Sequence, residues 1–213
     1  MIVYWLLLLV TAFFAYLFGC MDTMVLASNF VFHRNLRRLG DHNTWLSNFK
    51  RIYGWAGFLK LFAVELVKDL IPILIGSILL GIKGHADAGR AFAGFVLVLG
   101  RLWPVLYRFK GSHASLALVV AAFAVQTSAG AAVLVMLAAL TAATRYVTIG
   151  TVVSALVCVL VAVLVVDDAL LLRLLLMTAA LVLIYHIPAV IRLFRGTEPR
   201  LGLEKDITYK LDQ

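Results

Sequence analysis

The sequence of 213 residues holds only two cysteines, Cys20 and Cys158, both in or beside apolar runs. They supply neither a disulfide framework nor a metal-ligand spacing, and read as small buried residues. Charge is also scarce: 14% of residues are charged, against 63% hydrophobic. A soluble domain of this length cannot cover so much apolar surface with so few charges. Internal repeats, low-complexity tracts and Pro/Gly/Ser-rich linkers are missing as well. Residues 1–213 therefore read as one domain, ending in a polar tail at about 197–213.

Long apolar runs are abundant. They reach the roughly 20 residues needed to cross a bilayer core of about 30 Å, which predicts an all-α integral membrane protein. The first run, "MIVYWLLLLVTAFFAYLFGC", lacks a basic leading region and exceeds the roughly 7–15 apolar residues of a secretory signal, so it is expected to stay as a membrane helix. Seven transmembrane helices fit the pattern, at 2–19, 55–80, 90–107, 114–127, 129–144, 148–166 and 168–190. The fourth and fifth are short, parted only by "QTSAG", and predict a tight helical hairpin rich in small residues.

Most of the 19 basic residues fall on one side if the N-terminus lies outside. Arg34, Arg37, Arg38, Lys50 and Arg51 then share the inner face with Arg101, Arg108, Lys110, Arg145, Arg192 and the basic tail. Lys83 and Arg90 stay outside with Asp167 and Asp168. The positive-inside rule thus predicts a multi-pass protein with N-terminus outside and C-terminus cytoplasmic. The net charge of +8 follows from that bias and from anionic lipid heads, and calls for no nucleic acid.

Three inner segments hold more than anchoring residues. In "LGDHNTWLSNFKRIYG", Asn43, Ser47 and Asn48 precede Lys50 and Arg51, and Ser47 can cap a helix whose free amides favour an anion. A polar loop returning to the membrane reads the same way. In "GRLWPVLYRFKGSHASLA", Pro104 ends an apolar run, and Lys110 leads through Gly111, Ser112 and His113 into the next. A helix start beside cations is a seat for phosphate, and also what any membrane protein shows at a helix end. In "YHIPAVIRLFRGTEPRLG", His186 precedes Arg192, and Glu198 is placed to pair with Arg192 or Arg195. Within the second span, Glu65, Lys68 and Asp69 share a helix face. Charges at that depth must pair, so Glu65 and Lys68 are expected to form a structural ion pair; an ion path is the other reading.

Taken in order, these segments resemble the bacterial acyl-phosphate:glycerol-3-phosphate acyltransferases, the PlsY family. The family's first-loop pattern, S-G-N-x-G-A-T-N-x-x-R-x-x-G, falls on Asp41 to Gly54 and keeps Asn43, Asn48, Arg51 and Gly54. Its D-x-x-K pair falls on Glu65 and Lys68. The second pattern, G-H-x-F-P-V-F-x-x-F-K-G-G-K-G, keeps Gly100, Pro104, Val105, Phe109, Lys110 and Gly111. "TRYVT" at 144–148 is similar to T-R-Y-V-S, and "HIPAVIRLFRGTE" keeps His186, Arg192, Gly196, Thr197 and Glu198 of the last pattern.

The resemblance implies seven helices and a cytoplasmic-side site, with no metal, cofactor or acyl-enzyme intermediate. It implies transfer of an acyl group from an acyl phosphate to glycerol 3-phosphate, the two phosphates being held by glycine loops and basic side chains. On this frame the substrate- and phosphate-binding candidates are Asn43, Ser47, Asn48, Arg51, Lys110, Gly111, Ser112, His113, Arg145, His186 and Arg192. No general base is assigned.

The departures fall in the loops. Asp41, His42, Trp45 and Leu46 replace small residues around Asn43, and Ser112-His113-Ala114 replaces G-K-G. Arg101 stands where the pattern has histidine, and Ile187 and Ala189 replace an arginine and an asparagine. Added Cβ atoms are expected to obstruct backbone approach to a phosphate. Each lost donor costs roughly 2.7–4 kcal/mol of barrier. The sequence thus reads as a divergent membrane acyltransferase of phospholipid synthesis in the bacterial cytoplasmic membrane. It would act on membrane lipids, acyl phosphate and glycerol 3-phosphate or a related phosphate-bearing acceptor. The alternative is a non-catalytic paralog that binds a lipid or a protein partner in lipid synthesis.

Overall fold

The computed structural model describes residues 2–23, 46–198 and 200, with the backbone alone for 46–53, 55 and 58. Seven α-helices lie within these residues: α1 (Ile2–Cys20), α2 (Leu46–Gly81), α3 (Ala86–Leu102), α4 (Ser115–Val125), α5 (Thr127–Thr144), α6 (Val147–Val165) and α7 (Ala169–Phe194). Five are long and apolar enough to cross a membrane: α1, α3 with its continuation to Tyr107, α5, α6 and α7. Every span expected from the sequence has a helix, and the protein is an all-α, multi-pass membrane protein.

Several boundaries differ from the expectation: the third span, expected at 90–107, is Ala86–Leu102, and the last, expected at 168–190, runs to Phe194. Helix α2 begins at Leu46, before its apolar part, so Ser47 lies inside the first turn and does not precede it. The break falls at Gly54, with φ 69 and ψ −173, a conformation that glycine alone adopts readily. A Cβ there would meet no atom within 4 Å, so backbone conformation and not crowding selects glycine. The hairpin between α4 and α5 is also tighter than "QTSAG" suggested. Gln126 alone turns the chain, at φ −151 and ψ 125, and Thr127 already starts α5. Threonine and serine tolerate a helix start, and nothing in T-S-A-G forbids helix, so the turn shrinks to one residue.

Helix α4 is apolar around its whole circumference, which suits burial on all sides. Ser115, Ala117 and Leu118 to Ala122 are indeed buried. Around it pack Leu97, Val98 and Leu102 of α3, Val133 of α5, Ala155 and Cys158 of α6, and Leu175, Ala179 and Val182 of α7. Large apolar side chains on the outside, such as Leu9, Ile78, Leu160 and Leu164, face where lipid tails lie. Two buried hydroxyls are satisfied within their own helices: Thr151 Oγ1 donates to the Val147 carbonyl (2.9 Å) and Thr178 Oγ1 to Leu174 (2.7 Å).

The two ends of the bundle differ. At one end, Tyr4 of α1 packs edge-on against His85 in the α2–α3 connection, with ring centroids 5.6 Å apart. Asp168 caps α7 by accepting from the Leu170 and Leu171 amides at 2.8 and 3.0 Å. The opposite end gathers the last turns of α3, α5 and α7 with the starts of α4 and α6, and carries the sequence motifs.

Candidate active site

Helix α3 stops because Pro104 follows: Trp103 leaves helical geometry at φ −129 and ψ 66. A 3-10 turn over Val105–Tyr107 leads to Arg108 and Phe109, both left-handed at φ 54 and 60, which turn the chain back. The Phe109 amide donates to the Pro104 carbonyl at 2.9 Å and the Ser112 amide to the Arg101 carbonyl at 3.3 Å. Gly111 lies against the carbonyl oxygens of Arg101 and Leu102, where any Cβ would overlap them. Its glycine is demanded by this close approach, since its φ is not positive.

Beside this loop opens a cavity of about 530 Å³, lined by Trp103, Gly111, Ser112 and His113 from one wall. Ile184, Tyr185, His186, Pro188, Ala189 and Arg192 of α7 form the other. Its size falls within the roughly 300–1,000 Å³ usual for small-molecule sites. Ser112, His113 and Ala114 adopt ordinary negative-φ backbone. The side chains that replace glycines in this loop therefore leave the cavity open.

His186 is 2% exposed and its Nδ1 lies 2.8 Å from the Val182 carbonyl oxygen. A carbonyl only accepts, so Nδ1 carries the proton and Nε2 presents a lone pair. Among the described residues Nε2 has no hydrogen-bond partner. The His113 ring stands edge-on to His186 with centroids 5.4 Å apart, and Tyr185 meets Trp103 at 5.8 Å and 89°. Pro188 brings no N–H, so the carbonyl of Ile184, one turn back in the same wall, loses its helical donor. Desolvation, helped by the neighbouring His186 and Arg192, pushes the His113 imidazole down to about 3. Although part of the ring borders the cavity, the protein packed around it makes the neutral form the resting one.

At the α7 end Arg192 Nε donates to Glu198 Oε2 at 2.8 Å, which settles the alternative with Arg195. The other carboxylate oxygen of Glu198 accepts from Thr148 Oγ1 at the start of α6. Arg200 adds a bond to the Tyr146 hydroxyl at 2.6 Å and lies over that ring. The "TRYVT" and "GTE" motifs thus form one joint that holds Arg192 at the cavity.

Of the sequence candidates, Gly111, Ser112, His113, His186 and Arg192 come together around this cavity. Lys110 is exposed and borders a neighbouring small crevice with Asp22, Arg101, Tyr107 and Ser112. Arg145 is exposed too, and ends α5 in a left-handed conformation (φ 61) with its amide on the Thr141 carbonyl at 2.9 Å. It does not line the cavity. Ser47, Asn48 and Arg51 fall on the first turns of α2, and their side chains, like the whole of Asn43, lie outside the described residues. Trp103, Tyr185, Ile184 and Pro188 were missed; the position of Tyr185 beside His186 and of Trp103 beside Pro104 was the only signal.

Glu65 and Lys68 do pair, at 3.1 Å, but as part of a larger cluster. Lys68 also bonds Asp69 at 3.2 Å and the Met21 carbonyl at 2.9 Å. Arg101 reaches Asp69 at 3.2 Å and contacts Glu65. Arg101, counted from sequence among the inner-face cations, is in fact 5% exposed, because two carboxylates on α2 draw it inward. Each charge has an opposite charge beside it within the cluster, which gives no footing to an ion path.

Known proteins share both the sequence pattern and the fold. The glycerol-3-phosphate acyltransferase family pattern matches residues 9–196. A glycerol-3-phosphate acyltransferase of Thermoanaerobacter sp. (strain X514) is 27% identical over 197 residues, covering 92% of this chain and 97% of its own. One from Staphylococcus carnosus (strain TM300) is 28% identical over 202 residues, covering 88% and 94%. The crystal structure of PlsY, an integral membrane glycerol 3-phosphate acyltransferase, in its glycerol 3-phosphate form superposes with a TM-score of 0.77 at 24% identity, covering 92% of this chain and 96% of that one. Its lysophosphatidic acid form gives 0.76 at 22% identity. With the motif residues gathered at one end of a shared fold and the family pattern running through nearly the whole sequence, the chain belongs to the glycerol-3-phosphate acyltransferase (PlsY) family.

Proposed function

We propose that this protein transfers an acyl group from an acyl phosphate to the hydroxyl of glycerol 3-phosphate, or of a closely related phosphate-bearing acceptor, within phospholipid synthesis. The observation that carries this reading is the cavity lined by His186, whose buried Nε2 has no hydrogen-bond partner among the described residues, by the Glu198-held Arg192 and by the Gly111–His113 loop. Arg192 supplies positive charge to a phosphate. His186 Nε2 accepts a hydrogen bond from the attacking hydroxyl. That oxygen forms the ester bond to the acyl carbon, the bond from this carbon to the phosphate oxygen breaks, and inorganic phosphate leaves. The hydroxyl proton passes through Nε2 to the departing phosphate. Most of the rate then comes from positioning and charge stabilisation, without a protein nucleophile.

The basic residues at the site end, Arg108, Lys110, Arg145 and Arg195 among them, support a cytoplasmic location for it. With seven crossings, the N-terminus then lies outside. Lys110, Arg145, Asn43, Ser47, Asn48 and Arg51 belong to the reading as further contributors to anion capture.

The test is phosphate release from palmitoyl phosphate by the purified protein in lipid, with and without glycerol 3-phosphate. Release that requires the acceptor and is lost in Arg192→Ala supports the acyltransferase. Absence of release with any polyol phosphate would leave a membrane protein that binds a lipid or a protein partner without turnover.

A further inference from the structure

Among the described residues, Arg101 is the departure from the family pattern that the fold buries deepest in charge. Its guanidinium is held by Asp69 at 3.2 Å and by Glu65, both on α2, and Lys68 bridges the same two carboxylates and the Met21 carbonyl after α1. Its main chain does something different. The Arg101 carbonyl accepts the Ser112 amide at 3.3 Å, and Gly111 nests against that same oxygen and the next. One residue therefore connects a buried charge cluster of α1 and α2 with the loop that forms a wall of the cavity.

We propose that Arg101 is a positioning residue for acyl transfer: by clamping the last turn of α3 to Glu65 and Asp69, it sets where Ser112 and His113 stand opposite His186. The proposal rests on the acyltransferase reading for its kinetic part only. Three observations converge on it. Among the described residues the turn after Arg101 is also held by neutral bonds, from the Tyr16 hydroxyl to the Trp103 carbonyl at 2.8 Å and from the Trp103 amide to Leu99 at 2.9 Å, while Pro104 withholds an N–H. Buried, multiply bonded guanidinium–carboxylate contacts fix geometry more tightly than neutral bonds do. Lastly, Ser112 and His113 reach the cavity through Gly111, which fits only while the Arg101 and Leu102 carbonyls stay where they are. The Arg101 Nη2 meets both carboxylates, and a lysine at position 101 would keep the charge but bring it on a flexible stem without the planar guanidinium.

The experiment combines kinetics with a probe of loop position that does not depend on turnover. Arg101→Gln, Arg101→Lys and, as a remote control, Arg90→Gln are each made alone and on a Ser112→Cys background; Cys20 and Cys158 are buried. Rates of thiol labelling at position 112 and acceptor-dependent phosphate release are measured in lipid. Displacing a site wall by about 1 Å lowers turnover by about 10²-fold, so Arg101→Gln is expected to lower kcat by that order. KM for glycerol 3-phosphate changes less, and labelling at position 112 speeds up several-fold. Arg101→Lys shows part of both effects, and Arg90→Gln changes neither. A folded Arg101→Gln protein with unaltered labelling and unaltered kcat overturns the proposal. If Arg101→Gln does not fold, Arg101→Lys carries the test: wild-type labelling together with wild-type kcat then overturns it. If the wild-type protein releases no phosphate, the acyltransferase reading fails, and the labelling rates alone decide whether Arg101 positions the loop.

Discussion

His113 and His186 stand edge to face across the cavity, 5.4 Å between centroids and inclined at 65°, one from a loop and one from a membrane helix. The contact holds the two imidazoles against each other at the cavity wall. It leaves the Nε2 lone pair of His186 as the basic atom of the cavity, because Nδ1 is committed to Val182. Replacing His186 by Phe keeps a ring against His113 and removes that atom. Acceptor-dependent phosphate release is expected to fall about 10²–10⁴-fold, the usual contribution of a proton acceptor, with the thermal transition nearly unmoved. Steady-state kinetics beside a melting curve in detergent checks both halves.

The His113 ring makes stability depend on pH. Its folded value of about 3 lies below the roughly 6.5 of an exposed histidine, so between these values the unfolded chain binds the extra proton. The stability associated with neutral His113 is complete above about pH 6.5 and is lost as pH falls towards 3. His113→Asn is expected to flatten the dependence of Tm on pH between about 6.5 and 4.5. Parallel melting curves of the two proteins at several pH values give the comparison, and identical slopes would count against a neutral buried ring.

Arg192 and Lys110 are expected to separate. Arg192 borders the cavity and Lys110 does not, so Arg192→Ala should lose about 10²–10³ in turnover as a charge-stabilising donor. Lys110→Ala should lose less than about tenfold, by weakening capture at the mouth, and mainly through KM. Equal losses would mean that the loop carries Lys110 into the cavity when substrate binds.

Glu198 is 7% exposed and bonds both Arg192 and Thr148. Hydrogen bonds to charged groups contribute about 1.5–3 kcal/mol, so Glu198→Gln should lower stability by roughly that much and raise KM for the acceptor. Thr148→Val should do the first more weakly and leave KM alone. A melting curve and an acceptor titration for each variant make the test.

Neutralising one carboxylate of the α2 cluster leaves a buried cation short of its partner. Asp69 is fully buried between Lys68 and Arg101, and Asp69→Asn is expected to cost about 3–5 kcal/mol, more than any surface change. Arg90→Gln, in the exposed pair with Asp87, should cost under about 1 kcal/mol.

The spans were legible because apolar length is a strong signal: the predicted 148–166 became Val147–Val165 and the predicted 2–19 became Ile2–Cys20. What failed to show was anything set by the register between helices. Arg101 reads as one more cation at the inner face, since the carboxylates that bury it lie on another helix. Lys110 and Arg192 look equivalent in sequence, and only the left-handed turn at Arg108 and Phe109 sends the first of them away from the cavity. Gly111 reads as a phosphate-loop glycine, whereas its packing against two carbonyls is what requires it. His186 was visible as a motif residue, but its tautomer follows from the Val182 carbonyl one turn earlier, which no pattern records.

The inequality of α4 and α5 has a further consequence. Helix α4 runs into the single-residue turn at Gln126 and α5 leaves it, so from that turn they extend towards the same end of the bundle, α4 for 11 residues and α5 for 18. At 1.5 Å per residue, α4 ends about 10 Å short of α5. Arg192 stands six residues beyond His186 on α7, and so rises by a comparable distance to the level where α5 gives way to α6. The floor at His113 and His186 is therefore sunk about two helical turns beneath the rim at Thr148 and Glu198. On the acyltransferase reading proposed above, an acceptor arriving from water would descend into this well to reach His186.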